Sequence, residues 1–336
     1  MIKFFIVFLF IFNLASAELI VWQPVGHFQN WLLYKNPKES PQQAIQRFLQ
    51  ANQGHSELKN FTKGLKINSQ DKIRAVTFNE NTLLIANSHS DHTQEAKRLR
   101  QVHSRFLDMK MPTVALPVGA TAGLGNIKKL RFYRELRNHF QLLVALGGDD
   151  VHPLHYGEKI TWAVNLKSQR DALEIELIQD YFKNGTGQIL GFCRGLQVTS
   201  VALGHKLNQD LIQDLKTTLS HNDGAFHSIK ILPTTQGVVS RIFSQQHQLY
   251  VNSYHHQSIK ADTLNESSYL QVAATSEDGV IEALEGRDGR VVLFQFHPEM
   301  GDLYFRLGHQ VFEYFQKNQK KTQPPSCRKT LGSKAS

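Results

Sequence analysis

Two cysteines, Cys193 and Cys327, are all that a chain of 336 residues carries. That is too few for a small disulfide scaffold. The sequence has no Gly-x-y period and no sustained heptads, which excludes collagen and coiled coil. After residue 17 no stretch approaches eighteen consecutive apolar residues, so stable membrane insertion is not expected. Nothing resembles a nucleic-acid module, so no nucleic-acid partner is expected. Acid is absent from the last twenty residues, which hold six Lys/Arg together with Pro324, Pro325 and Gly332. Residues 317–336 therefore read as a basic, solvated tail that cannot build a core. The chain's formal charge is +9, and setting aside those six leaves about +3 for the body. With 41% apolar and 20% charged residues, the composition is that of a globular protein with ample length for a core.

The first residues have their own pattern. Met1-Ile2-Lys3 is a short basic start, Phe4 to Leu14 is apolar apart from Asn13, and Ala15-Ser16-Ala17 is small-x-small. These are the parts of a secretory signal peptide. The expected mature chain begins near Glu18 and is exported, to a periplasm or to the outside. Residues 18–80 read as an irregular N-terminal extension in which only a helix at 40–50 stands out, with Ser40 as cap and Pro41 at the first helical position.

From residue 81 to 316 helix and strand alternate. Strands are expected at Thr82–Ala86, Thr113–Val118, Leu142–Leu146 and Gln188–Phe192. Helices are expected at His92–Lys110, Asn126–Phe140 and Gln169–Lys183. The strands are apolar on both faces, the signature of a mostly parallel sheet sandwiched by helices, hence an α/β fold. After Lys206 short β segments follow at Ser228–Leu232, Gln248–Val251, Tyr269–Ala274, Gly279–Leu284 and Val291–Phe296. Turns are expected at Asp223-Gly224, Asp278-Gly279 and Asp288-Gly289, and a closing helix at Gly301–Gln316. In such sheets ligands bind beyond the carboxyl ends of the strands. Two loops stand out there: Gly147-Gly148-Asp149-Asp150 and Gly191-Phe192-Cys193-Arg194-Gly195.

The second loop joins a strand to a helix, Arg194–Leu203. Gly-x-nucleophile-x-Gly in that setting is a nucleophile elbow with cysteine as nucleophile. The thiol sits at a helix N-terminus, where the dipole favours thiolate. The Arg194 amide can face a developing oxyanion. A thiolate needs a base, and His297-Pro298-Glu299 follows an apolar strand. Residues i and i+2 of extended chain point the same way, so Glu299 can orient His297 towards Cys193. Taken singly, each piece also reads as ordinary structure: a buried cysteine in a tight turn, and a surface His-Pro-Glu turn.

Together, Gly-Phe-Cys-Arg-Gly-Leu-Gln and Phe-Gln-Phe-His-Pro-Glu resemble the class I glutamine amidotransferase-like superfamily. Within it the sequence is most similar to gamma-glutamyl hydrolases of the bacterial gamma-glutamyl-gamma-aminobutyrate hydrolase type. Further matching segments lie in order: 147–153 with Tyr156-Gly157-Glu158; Arg170-Asp171 with Glu174; Gln209-Asp210-Leu211; His221 and His227; Val251-Asn252-Ser253-Tyr254-His255-His256-Gln257; and 275–279 with Glu282-Ala283. The resemblance spans Thr82 to Gln316. It implies Cys193 as nucleophile, His297 as base and then acid, and Glu299 as orienter. It also implies Gly148 and Arg194 as backbone oxyanion donors, and Gln197, His255 and His256 as substrate-binding residues. The implied substrate is a small-molecule or peptide gamma-glutamyl amide, and no cofactor is implied. His152/His155 and His89/His92 have helical spacing but fall in loops, so no metal site is expected. Two other functions stay open: a glutaminase subunit supplying ammonia, and an inactive binding protein on the same fold. A cysteine α/β-hydrolase would place its acid between nucleophile and histidine, whereas Glu299 follows His297 at once.

Overall fold

The computed structural model describes residues 18–53, 65–76, 82–86, 94–300 and 305–319. Residues 1–17, read above as a signal peptide, most of the basic tail and Cys327 lie outside them. One twelve-stranded sheet organises the described chain. Its strands are β1 (Leu19–Gln23), β2 (Trp31–Tyr34), β3 (Lys72–Ala75), β4 (Thr82–Ala86), β5 (Thr113–Pro117), β6 (Leu142–Ala145), β7 (Gln188–Phe192), β9 (Ala225–Ile231), β10 (Gln248–Ser253), β12 (Leu270–Ser276), β13 (Ile281–Gly286) and β14 (Val291–Phe294). The two-residue strands β8 (Leu207–Asn208) and β11 (Ser258–Ile259) pair separately.

The order is β10-β9-β12-β13-β14-β7-β6-β4-β5-β2-β1-β3. The six strands from β14 to β2 run parallel, and both flanks are antiparallel. Four of the six, β4 to β7, are the strands expected from the alternation of helix and strand; β14 was expected among the later short β segments, and β2 lies in the segment read as irregular. Apolar residues alternate between two cores, as the two-residue period of a strand requires. Leu142 and Val144 face one core, and Leu143 and Ala145 face the other.

Helices cover both faces. On one lie α1 (Pro41–Gln53), α2 (Gln94–Asp108), α6 (Val238–Ile242) and α7 (Phe305–Gln319), which contribute Phe48, Phe106, Ile242 and Phe312. On the other lie α3 (Asn126–His139), α4 (Ser168–Asn184) and α5 (Arg194–Ala202), which contribute Phe132, Leu177 and Leu196. The glycines of the three expected Asp-Gly turns, Gly224, Gly279 and Gly289, all adopt positive φ, which is where a residue without Cβ fits best.

The segment read as an irregular extension contributes regular structure to the main sheet. Besides α1 it forms β1, β2 and β3, which add to the sheet beyond β5. Trp22, Trp31 and Tyr34 are fully buried in it. Leu19–Gln23 and Trp31–Tyr34 are apolar on both faces because helices cover both, so neither shows the alternation that marks a half-exposed strand. No helix among the described residues is long and apolar enough to cross a membrane.

Candidate active site

The site follows from strand order. β14, β7 and β6 are adjacent and parallel. Their carboxyl ends therefore deliver His297, Cys193 and the Gly147-Gly148 loop to one edge of the sheet. The sequence separates these by up to 150 residues, and the parallel register brings them together.

Cys193 occupies the turn between β7 and α5 at φ 50, ψ −109. A non-glycine residue there is strained, and such strain persists only where the surroundings enforce it. Here they do. Its amide donates to the Phe294 carbonyl at 2.7 Å, clamping the turn to β14. The flanking glycines are required by space. A Cβ at Gly191 would lie 2.7 Å from the Gly195 carbonyl carbon, and one at Gly195 would overlap the Ala145 carbonyl. The elbow read from the sequence is thus the one the backbone makes. The Arg194 amide stands in the first turn of α5, where an N–H has no intrahelical acceptor.

His297 is fully buried, and its Nδ1 lies 2.6 Å from Glu299 Oε1. Glu299 accepts at Nδ1, so the buried Nε2 is the nitrogen turned to the cysteine. Asn252 fixes the backbone beneath: its Oδ1 accepts from the His297 amide at 2.9 Å and its Nδ2 donates to the His297 carbonyl at 3.0 Å. Gly147 passes so close that a Cβ there would sit 2.9 Å from His297 Cε1.

The electrostatics follow from these contacts. Burial pushes the Cys193 thiol up more than any single contact lowers it, but the charge and hydrogen bond of His297, with Arg98, together hold the thiol below its ordinary value. Glu299 opposes that pull. Burial disfavours a charged His297, yet Glu299 and Cys193 together push it up to about 10. The arrangement favours a thiolate–imidazolium pair.

A buried charge network supports the elbow. Arg194 reaches from α5 to Glu174 and Asp171 on α4, and Arg170 Nε donates to Glu174 Oε1 at 2.8 Å. Arg170 Nη2 also donates to the carbonyls of Leu146 and Gly147, both at 3.2 Å. Gly148 lies directly on this guanidinium, which a Cβ would overlap. The network thus ties the elbow and the Gly147-Gly148 loop to one helix. All four side chains are buried, so the charges balance in pairs.

The remaining expected residues fall around this centre. Gln197 is buried and its Nε2 donates to the Gln257 carbonyl at 3.2 Å. His256 is half-buried and sits between two carboxylates, with Nε2 3.0 Å from Asp150 and Nδ1 3.3 Å from Asp210. His255 belongs to a different group. It is buried with His221, His227 and Glu282, and its Nδ1 lies 3.0 Å from the Gln257 carbonyl. These four side chains are the group of the described residues able to converge on a metal ion.

Sequence reasoning missed Tyr254, Asn252 and Arg98. The Tyr254 carbonyl lies 4.0 Å from Cys193 Sγ, and its ring meets His297 edge-on at 5.7 Å. Tyr254 stands at the variable position of the 251–257 motif, so only its neighbours drew attention. Arg98 lies in an amphipathic helix with no local signal of its role.

Fold and site together define a class I glutamine amidotransferase-like protein. The comparisons agree. The peptidase C26 family matches residues 83–299. Protein NtpR of Enterococcus hirae is 32% identical over 182 residues, covering 52% of this chain and 72% of that protein. A glutamine amidotransferase-like protein of Lactococcus lactis, YvdE, is 29% identical over 220 residues, covering 62% and 84%. The glutaminase domain of Trypanosoma brucei CTPS with bound acivicin shares the fold, at TM-score 0.53 and 12% identity, over 73% of this chain and 96% of that one. The chain belongs to the peptidase C26 family, and so to a group of hydrolases and amidotransferases.

Proposed function

We propose that the protein is an exported cysteine hydrolase that cleaves gamma-glutamyl amide bonds. The observation that carries this reading is the strained Cys193 elbow held against the His297–Glu299 pair. Cys193 Sγ attacks the side-chain carbonyl of the glutamyl group. The resulting oxyanion takes backbone N–H donors from Arg194 and Gly148. His297 gives its proton to the leaving amine, and a gamma-glutamyl thioester remains. Water, deprotonated by His297, then releases glutamate and restores the thiol.

The leaving amine would meet the segment 154–167. Gln209 holds that segment by accepting from the amides of Thr161, Trp162 and Ala163 at 2.9–3.3 Å. Leu154, Ile160, Trp162 and Val164 are exposed along it, an apolar lining for the amine side. The export part of the reading rests on residues 1–17, and N-terminal sequencing of the native protein should begin at Glu18.

A second reading, a glutaminase that passes ammonia to a partner, is favoured by the amidotransferase-like name of one relative. A panel of purified substrates separates the two. Gamma-linked glutamyl amines and peptides should turn over without a partner, and their alpha-linked isomers should not. Buried polar groups left unpaired by the wrong linkage cost about 1–3 kcal/mol each. Turnover of glutamine alone, and only with a partner, would select the glutaminase. Efficient cleavage of alpha-peptides would overturn both.

A further inference from the structure

The group of His221, His227, His255 and Glu282 does not enter the reaction above. It lies among the antiparallel flanking strands. His227 is on β9, Glu282 on β13, and His221 and His255 are on the segments leading into β9 and out of β10. All four are buried, none more than 4% exposed. His221 Nδ1, His227 Nε2 and His255 Nε2 lie 3.3, 3.6 and 3.5 Å from Glu282 Oε1. None of these atoms, nor Glu282 Oε2, makes a hydrogen bond of acceptable geometry.

The outer nitrogens show why this is unusual. His221 Nε2 lies 3.0 Å from Asp278 Oδ2, His255 Nδ1 lies 3.0 Å from the Gln257 carbonyl, and His227 Nδ1 lies 3.5 Å from the Ser228 carbonyl. Carboxylates and carbonyls only accept, so each outer nitrogen carries the proton. In the neutral rings the three inner nitrogens are then bare lone pairs. All three aim at a carboxylate, which is also only an acceptor. Four acceptors cannot converge in a buried space without positive charge between them: one proton would serve a single nitrogen and leave the other two bare, whereas one metal ion serves all four.

We propose that these four side chains bind a structural divalent metal ion, zinc by the chemistry of its ligands. Three imidazoles and one carboxylate are a zinc donor set. For metal–nitrogen bonds of about 2.0–2.1 Å, neighbouring tetrahedral ligands stand roughly 3.4 Å apart. The separations to Glu282 Oε1 bracket that value. The outer acceptors are the partners that metal-binding histidines use to fix their tautomer. Charge also closes: a divalent ion balances Glu282 and Asp278. Four protein ligands leave no open position, so the ion holds structure and takes no part in hydrolysis. It would pin His255, which follows Tyr254, the residue whose carbonyl faces Cys193.

The test uses the full mature chain without a histidine tag. Purified protein, dialysed against metal-free buffer, should contain one zinc ion per chain by elemental mass spectrometry. Cys193→Ser and Cys327→Ser should keep it, which excludes thiolate binding. His227→Ala and Glu282→Gln should lose it, and their melting temperatures should no longer rise on adding zinc. Should those variants fail to fold, the wild type decides alone. Chelation followed by Co²⁺ should give the visible spectrum of a four-coordinate ion without a thiolate-to-metal band. Fewer than about 0.1 ion per chain in the wild type, with no such cobalt spectrum, would overturn the proposal. So would zinc retained at full stoichiometry by a folded His227→Ala.

Discussion

Arg194→Met offers a sharp check on how the elbow is supported. The wild-type guanidinium is buried and bridges Glu174 and Asp171. Its loss does not strand both carboxylates equally. Glu174 keeps Arg170 at 2.8 Å, whereas Asp171 keeps the His152 amide at 2.9 Å and only a distant His155 at 3.9 Å. Breaking a buried ion pair typically costs about 3–5 kcal/mol, and the surviving partners argue for the lower end. About 3 kcal/mol corresponds to a fall of roughly 6–12 °C in melting temperature for a domain of this size. The dependence on pH follows from Glu174. Burial raises its affinity for a proton, but Arg170 and Arg194 together hold its carboxyl below the ordinary range. Stability from a depressed carboxyl is present above its unfolded value, about 4.3, and is lost as pH falls through the folded one. The gap between Arg194→Met and wild type should therefore be widest near pH 7 and narrow towards pH 4. Scanning fluorimetry across that range measures it. A gap below about 2 °C at pH 7, or one that does not change with pH, would refute the reasoning.

Other outcomes are expected. Alkylation of Cys193 by iodoacetamide should proceed below the ordinary thiol range of about 8.5, and His297→Ala should move its rise to higher pH, since the imidazolium helps to hold the thiol down. The pH profile of kcat/KM should fall on its alkaline side near pH 10, where His297 loses its proton; a fall near pH 7 would contradict the ion pair. That same raised value means the stability His297 contributes is fully present below about 6.5 and lost as pH rises through about 10. Glu299→Gln should keep a small fraction of activity, on the order of 10⁻⁴ to 10⁻², while His297→Ala should lose more. Gly195→Ala places a Cβ on the Ala145 carbonyl, a backbone atom that cannot step aside; soluble expression or melting temperature should drop by the equivalent of about 3 kcal/mol or more.

How much of this could be read from the sequence depends on how local each signal is. The elbow and the His-Pro-Glu segment were legible because nucleophile and glycines sit within a few residues of one strand end, and base and orienter within a few residues of another. The four parallel strands β4 to β7 were legible because they alternate with long amphipathic helices. β1 and β2 were not: buried on both faces and close after the apolar run of residues 4–14, they carry no period to distinguish them. Asn252, Tyr254 and Arg98 gain their roles only when β10 and α2 are brought beside β14 and β7. The His221, His227, His255 and Glu282 group shows the same limit. Its four side chains come from four segments spread over about sixty residues, with none of the short spacings that mark a metal site in sequence.

The central claim is that Cys193 carries the chemistry, and replacing its sulfur tests that most directly. Cys193→Ala keeps the backbone of the turn and removes only the nucleophile. Its hydrolysis of a gamma-glutamyl amide should fall by at least about 10³-fold, with an unchanged melting curve. Wild-type turnover by a folded Cys193→Ala would contradict the account.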